Sequence, residues 1–207
     1  MQARKLRGFH LAGGRRNTLK GSIVQGREIG RGGQGVVEAL EYRRGKHRVS
    51  LAEKRYHENP PSHKTTASQD YLTFKSLMGF LPRKLFPRTV RLKVNSSGAA
   101  SLILTRLGLK GKKLMDLNPG RFIELPENHW PAGANSLLVL MEQAGTFRGI
   151  KNYPVIQKQI QTAVTLAAKN GWVIPMEAFT IELDPKTKTG SLYILDVGTI
   201  KRFRPAR

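Results

Sequence analysis

The fold is decided by one stretch near the start of the chain, Arg27-Glu28-Ile29-Gly30-Arg31-Gly32-Gly33-Gln34-Gly35-Val36-Val37, and by the Leu51-Ala52-Glu53-Lys54 that follows it. The glycines at 30, 32 and 35 have the spacing G-x-G-x-x-G. Glycines so spaced let backbone N–H groups approach phosphate oxygens without a side chain in the way. A glycine-rich hairpin that binds nothing gives the same letters, so the spacing alone leaves both interpretations open.

The residues after these glycines separate two nucleotide-binding folds. In the dinucleotide-binding fold a helix follows the last glycine. Here residues 36–42 are β-rich, a basic turn follows, and residues 48–56 are β-rich again. The order strand, glycine loop, strand, turn, strand predicts a loop that covers nucleotide phosphates, with Lys54 presented from the third strand.

Composition narrows the classes of function. The 207 residues contain no cysteine, which excludes a disulfide framework, a thiolate metal site and a cysteine nucleophile. No apolar run approaches the roughly 20 residues that span a bilayer, and the basic start of the chain lacks the apolar segment of a signal peptide.

The chain is strongly basic: thirty-six Lys and Arg against fourteen Asp and Glu give a net charge of 36 − 14 = +22. That charge predicts an acidic partner: nucleic acid, anionic lipid, an acidic protein or a nucleotide. Because the cations are dispersed and no known nucleic-acid module is visible, we do not expect nucleic acid to be the main partner.

Periodicity and turn residues predict the remaining elements. Residues 1–22 are predicted to be a flexible basic arm. The 69–80 segment is predicted to be a helix with Ser68 as its N-cap and Asp70 in its first turn. The other predicted elements are strands at 89–94, 99–104, 172–174, 179–183 and 191–195, helices at 136–147 and 154–169, a basic loop at 108–113, and irregular chain at 118–135.

This layout resembles the protein kinase fold, an α+β fold. The resemblance implies a β-rich N-lobe with one helix at residues 23–107 and a reduced, mainly helical C-lobe at residues 108–207. In it Lys54 matches the lysine of V-A-I-K, Ala52 lies against an adenine ring, and Asp70 matches the helix acid that pairs with the lysine. Its implied cofactors are ATP and Mg²⁺.

The resemblance also assigns the other nucleotide contacts. Gly30, Gly32, Gly33, Gly35 and Val37 belong to the loop over the phosphates. Residues 102–107 resemble the fifth strand running into the hinge, and backbone groups at Thr105 and Leu107 are implied to bond adenine. Ile194-Leu195-Asp196-Val197-Gly198 matches D-F-G with valine for phenylalanine, and Asp196 is implied to hold Mg²⁺.

Two departures from the kinase pattern matter. The catalytic loop H-R-D-x-x-x-x-N is missing, and residues 175–182 stand in its place. On that register Glu177 replaces the catalytic base and Glu182 replaces the metal-binding asparagine. Two exposed acids on a loop are the alternative interpretation of this pair.

The second departure is that the sequence ends nine residues after Gly198. This shortness resembles the minimal effector kinases that pathogenic bacteria inject into host cells, the OspG-like type. The resemblance implies delivery by type III secretion, action in the host cytoplasm on a hydroxyl of a host protein, and activation by a host partner such as a ubiquitin-loaded conjugating enzyme or a chaperone. We expect a monomer.

Three functions remain open on the sequence. The first is an active protein kinase. The second is a catalytically altered member of the fold, either a pseudokinase or another nucleotide-dependent transferase that acts through partner binding. The third is a basic RNA- or lipid-binding module in which the glycine spacing is coincidental.

Overall fold

The computed structural model describes residues 22–32, 34–57, 65–117 and 134–203. In these residues the chain has the predicted α+β architecture, with ten strands and three α-helices. The strands are β1 (Ser22–Gly32), β2 (Gly35–Arg44), β3 (His47–Tyr56), β4 (Val90–Val94), β5 (Ala100–Thr105), β6 (Lys113–Asp116), β7 (Trp172–Val173), β8 (Phe179–Asp184), β9 (Thr189–Ile194) and β10 (Lys201–Arg202). The helices are α1 (Ala67–Leu77), α2 (Ala134–Gln143) and α3 (Tyr153–Lys169), with short 3-10 helices at Arg83–Leu85, Met176–Ala178 and Val197–Thr199. Gly33, almost all of the predicted arm and most of the predicted irregular segment at 118–135 lie outside the described residues.

The chain divides into two compact units. The first contains Met1–Lys75 and Pro87–Arg106, and the second contains Ser76–Phe86 and Leu107–Arg207. One boundary therefore lies between Arg106 and Leu107, where the sequence analysis had placed it one residue later. The assignment of Ser76–Phe86 to the second unit was not anticipated from the sequence.

The first unit contains a five-stranded antiparallel sheet in the order β1-β2-β3-β5-β4. Successive side chains of a strand point to opposite faces, and the continuous β2–β3 register divides the residues accordingly. One face buries Leu40, Leu51 and Ile103, against which Ile23 and Tyr42 pack. Lys54, which is an odd number of residues from Leu51, therefore points to the other face.

Helix α1 begins two residues earlier than predicted. Thr66 Oγ1 accepts a hydrogen bond from the Gln69 N–H at 3.3 Å, and Gln69 Oε1 accepts one from the Thr66 N–H at 2.8 Å. These reciprocal bonds form a capping box. The prediction that Ser68 is the N-cap is therefore wrong, because Ser68 lies inside the first turn. The Thr-x-x-Gln spacing at residues 66–69 was the sequence signal that would have identified the cap.

The second unit combines α2 and α3 with a three-stranded sheet, β6-β8-β9, and a two-stranded sheet, β10-β7. Helix α3 buries Ile156, Ile160, Ala163 and Ala167 on one face, as its apolar spacing predicted. It ends at Lys169, and Gly171, two residues further on, has a φ of 76°, which suits a residue without a side chain. The prediction of a mainly helical second half is not confirmed, because five strands accompany the two helices there.

Candidate functional site

The predicted glycine loop is the turn of the β1–β2 hairpin. Gly30 pairs with Val37, and Gly32 pairs with Gly35. A Cβ atom at Gly35 would lie 1.9 Å from the Arg55 carbonyl oxygen, so only glycine allows β2 to approach β3 this closely. At Gly30 the nearest atom among the described residues would be the Val37 Cβ, at an ordinary 3.9 Å. Packing therefore requires the glycine at 35 but not the glycine at 30.

Strand register places these glycines beside Lys54. The row Gly30, Val37, Lys54 runs across three strands, and the next row contains Gly32, Gly35 and Tyr56. Residues in one row share a face of the sheet. The β2 neighbour of Tyr56 in its row is therefore a glycine without a side chain, whereas the β2 neighbour of Lys54 is Val37.

Among the contacts of Lys54 are Asp70, Gln34 and Tyr56 of its own unit. Its Nζ lies 3.4 Å from Asp70 Oδ2, donates to Gln34 Oε1 at 2.5 Å, and lies 4.9 Å from the centre of the Tyr56 ring. Asp70 sits in the first turn of α1, is 1% exposed, and also accepts a hydrogen bond from the Tyr56 hydroxyl. The structure thus brings together Lys54 and Asp70, which the sequence had named as partners, while their catalytic roles stay predictions. Sequence reasoning missed Gln34 and Tyr56; the position of Tyr56 two residues after Lys54 on one strand was the available signal.

The predicted adenine contacts lie in different units. Ala52 pairs with Ala39 and Leu104 in the first unit, on the face that carries Lys54. The Thr105 N–H donates to the Thr89 carbonyl at 3.1 Å, so this N–H is not available for the predicted adenine contact. Leu107 is half-buried and belongs to the second unit.

Glu182 lies inside β8 and is 7% exposed, not on an exposed loop. Its Oε1 accepts a hydrogen bond from the Gly108 N–H at 2.8 Å, and its Oε2 lies 3.1 Å from Lys112 Nζ. The hydrogen bond to Glu182 raises the pKa of Lys112. Burial, with Glu182 nearby, raises the pKa of Tyr193. Through its contacts with Gly108 and Lys112, the Glu182 carboxylate fastens the 108–112 loop to the β6-β8-β9 sheet.

The β8–β9 register separates Glu182 from Asp196. Phe179 pairs with Ile194, and Glu182 lies three residues further into the strand, about 10 Å away. Asp196 follows Ile194 at the opposite end of the hairpin. Carboxylates that share one magnesium ion have oxygens about 2.1 Å from it. The prediction that Glu182 joins Asp196 as a metal ligand therefore does not agree with the structure.

Glu177, by contrast, lies at the same end of the hairpin as Asp196. The Leu195 N–H donates to the Ala178 carbonyl at 3.0 Å, which continues the ladder by one step beyond Phe179 and Ile194. Beyond this step the chain leaves the strands, with Glu177 in the short helix Met176–Ala178 and Asp196 just before the short helix Val197–Thr199. These two short helices contact each other. Sequence reasoning named both acids but did not recognise that they lie at one end of the same hairpin.

The sequence analysis missed a second buried acid in the first unit, Glu53, because it assigned a role only to the adjacent Lys54. Glu53 is 2% exposed, lies 2.8 Å from Lys93, accepts a hydrogen bond from Ser101 at 2.5 Å, and lies 3.7 Å from Arg55. Burial acts to raise the pKa of Glu53, but the hydrogen bonds from Lys93 and Ser101 outweigh it and lower the pKa below its ordinary value. The carboxylate therefore faces away from Lys54 and holds β3, β4 and β5 together.

The described residues contain neither a ready-made metal site nor a membrane-spanning helix. No group of three or more His, Asp or Glu side chains among them is arranged to hold a metal ion. No helix in the described ranges is both long and apolar enough to cross a membrane. A cation at Glu177 and Asp196 would therefore need further oxygen ligands from a nucleotide or from water.

No model of a protein family matches this chain, and no characterised protein matches it. Among solved structures, the chain is similar to a chain of the CAK complex from Chaetomium thermophilum bound to ATP-γ-S, with 14% identity and a TM-score of 0.44. The similarity covers 89% of this chain and 49% of that chain, so this chain spans about half of its length. A likeness of this size decides neither the fold nor the activity.

Proposed function

We propose that the chain is an ATP- and Mg²⁺-dependent phosphotransferase of protein kinase-like fold that acts on a protein hydroxyl. The observation that supports this most is the contact between Lys54 on β3, a strand that pairs with the glycine hairpin, and the buried Asp70 on α1. An ammonium held by a buried carboxylate is well suited to bind phosphate oxygens, because charge-assisted hydrogen bonds are the strong ones. Phosphoryl transfer depends mostly on such positioning and charge neutralisation.

Each unit contributes its own residues to the proposed chemistry. In the first unit, Lys54 binds phosphate oxygens and Asp70 orients its ammonium. In the second unit, Asp196 and Glu177 supply the oxygen ligands that Mg²⁺ prefers. The magnesium ion, when bound, neutralises charge on the transferring phosphoryl group. Glu182 has no part in this scheme, because its oxygens bind Gly108 and Lys112.

Glu177 was predicted from the sequence as the catalytic base, and the contact of its short helix with the one that follows Asp196 also suits a metal ligand. The Glu177→Gln variant separates the two roles. A ligand role raises the magnesium concentration needed for half-maximal rate, whereas a base role lowers the rate at saturating magnesium.

The proposal is tested by incubating the purified chain with γ-labelled ATP, Mg²⁺ and a generic acceptor protein or a cell lysate. We expect transfer by the wild type and at least about a hundredfold less from Lys54→Ala and from Asp196→Ala. The matched control is Lys75→Ala, which removes an exposed lysine at the end of α1 and should retain transfer. Undiminished transfer by Lys54→Ala would refute the assignment.

A second candidate, a catalytically altered member of the same fold, is favoured by one observation. The short helix Met176–Ala178, with Glu177, stands where the kinase pattern requires H-R-D. Binding of ATP and Mg²⁺ without labelling of any protein would support a pseudokinase. An added mass other than one phosphoryl group would support a different transferase. Salt-dependent RNA or lipid binding that nucleotide does not affect would support the third function, a basic binding module.

We further propose that the substrate is a host protein and that a host partner activates the enzyme after bacterial secretion. This part is supported by the resemblance to minimal effector kinases and by the net charge of +22, which suits an acidic partner surface. We expect stronger labelling in a eukaryotic lysate than in a bacterial one, and further stimulation by an added ubiquitin-loaded conjugating enzyme. Equal labelling in both lysates would contradict the host-specific part while leaving the phosphotransferase proposal standing.

A further inference from the structure

Tyr56 contacts both members of the Lys54–Asp70 pair. Its hydroxyl donates to Asp70 Oδ2, the same oxygen that lies 3.4 Å from Lys54 Nζ. Its ring lies under the ammonium, with 4.9 Å between Nζ and the ring centre, a distance at which a cation and an aromatic face attract each other. One side chain therefore holds the carboxylate by a hydrogen bond and the ammonium by its ring.

The surroundings of Tyr56 fix where its side chain lies. Tyr56 pairs with Gly35 across β2 and β3, where a Cβ atom would collide with the Arg55 carbonyl. The backbone of the glycine turn is tied to the end of β3 by the His57 N–H, which donates to the Gln34 carbonyl at 3.2 Å. The Tyr56 ring therefore lies beside a row of glycines and is held between the hairpin and α1.

The hydrogen bonds that Asp70 accepts suggest a role for the Tyr56 hydroxyl. A carboxylate that is 1% exposed requires donors to offset its desolvation. The Lys54 contact at 3.4 Å is long for a charge-assisted hydrogen bond, which is typically 2.7–2.9 Å. Since an ammonium carries three donors, Lys54 can bind Gln34 Oε1 at the same time. The Tyr56 hydroxyl thus stabilises the carboxylate that Lys54 approaches.

We propose that Tyr56 is a positioning residue for nucleotide phosphates. It anchors Asp70 so that the Lys54 ammonium stays at one place on the sheet and exchanges the Gln34 amide oxygen for a phosphate oxygen. The inference rests on the proposed function, because it requires that Lys54 bind phosphate. It adds a residue that acts through Lys54 and Asp70, not on the reacting atoms.

The test measures the affinity of the full chain for ADP and for adenosine, in magnesium buffer, by calorimetry. Tyr56→Phe keeps the ring beneath Lys54 and removes only the hydroxyl. We expect it to weaken ADP binding about three- to tenfold, the loss of roughly one coupled hydrogen bond, and to leave adenosine binding unchanged. In a Lys54→Met background the same substitution should have no further effect on ADP binding.

The matched control is Tyr42→Phe, the same substitution on the opposite face of the same sheet. The Tyr42 hydroxyl is buried and has no hydrogen-bond partner among the described residues, so its loss should leave both affinities unchanged. Equal weakening of ADP and adenosine in Tyr56→Phe would overturn the inference, because it would indicate a general packing role. ADP binding that depends on Lys54 but not on the Tyr56 hydroxyl would also overturn it, while leaving the proposed function intact. A wild-type chain that binds neither ligand would contradict both.

Discussion

Replacing Glu182 distinguishes a structural anchor from a metal ligand. In Glu182→Ala the Gly108 N–H loses a charged acceptor at 2.8 Å, an interaction worth about 1.5–3 kcal/mol. The Lys112 side chain is 39% exposed, so solvent screening limits its ion pair to about 0.5 kcal/mol. We expect Glu182→Ala to lower the free energy of unfolding of the second unit by about 2–3.5 kcal/mol.

Glu182→Gln provides the sharper comparison. Its amide oxygen still accepts from the Gly108 N–H, and only the charge opposite Lys112 is lost. The expected loss is about 0.5–1.5 kcal/mol, clearly smaller than for alanine. Lys112→Ala should likewise cost only about 0.5 kcal/mol. Urea unfolding followed by circular dichroism, with all variants at one pH and salt concentration, measures these differences.

The same variants bear on magnesium. If Glu182 only fastens the 108–112 loop, then Glu182→Gln should need no more magnesium than the wild type for nucleotide binding or transfer. A Glu182→Gln protein of nearly wild-type stability with a strongly raised magnesium requirement would refute the reasoning. Equal destabilisation by alanine and glutamine would refute the assignment of the Gly108 hydrogen bond.

Three further predictions concern the first unit. Gly35→Ala should lower the free energy of unfolding in urea by about 3 kcal/mol or more, because its Cβ would lie 1.9 Å from the Arg55 carbonyl oxygen. Gly30→Ala should change the free energy of unfolding by less than about 1 kcal/mol. Similar losses in the two variants would contradict the hairpin geometry. Because the pKa of Glu53 is lowered in the folded state from 4.5, its stabilisation is present above that value and is lost as pH falls through the lowered native pKa. The stability difference between wild type and Glu53→Gln should therefore shrink below about pH 4.5, and a difference that grows on acidification would be inconsistent. Thr66→Ala should lose about 1 kcal/mol from the missing N-cap bond, and no loss would show that another residue caps α1.

Local patterns predicted the elements that carry strong local signals. The β-rich run of residues 48–56 identified β3, and the apolar spacing of residues 154–169 identified α3 almost to the residue. Neither pattern depends on residues that are far away in the sequence. Strand β6 was missed, and only its first residue, Lys113, was assigned, to the basic loop at 108–113. Four residues with no alternation become a strand only when β8 supplies their hydrogen-bond partners. Such pairing is a property of tertiary structure, and no window of local sequence contains it.

The candidate site was likewise predictable only for residues that lie in recognisable local patterns. Lys54 was named because its position on the strand after the glycine loop and turn is a local feature, and Asp70 was named as its partner through the resemblance to the kinase pattern. Gln34 and Tyr56 reach the same ammonium only through the geometry of a hairpin turn and the placement of α1. Glu182 was misassigned because two acids five residues apart look alike in a sequence, while the strand register places them at different levels of one hairpin.

The two glycines that the motif treats as equivalent have different physical reasons to be glycine. Gly35 is required because β2 approaches β3 too closely for any side chain, so its presence says nothing about a ligand. Gly30 has room for a methyl group, but the β1–β2 register shifts between Glu28 and Gly30, and a glycine inside a strand often marks such a bulge. In the row that leads from Gly30 to Lys54, the Val37 side chain lies between the two. Both glycines therefore have reasons in the hairpin itself, and the proposed nucleotide binding rests on Lys54 and Asp70 and not on the glycine spacing.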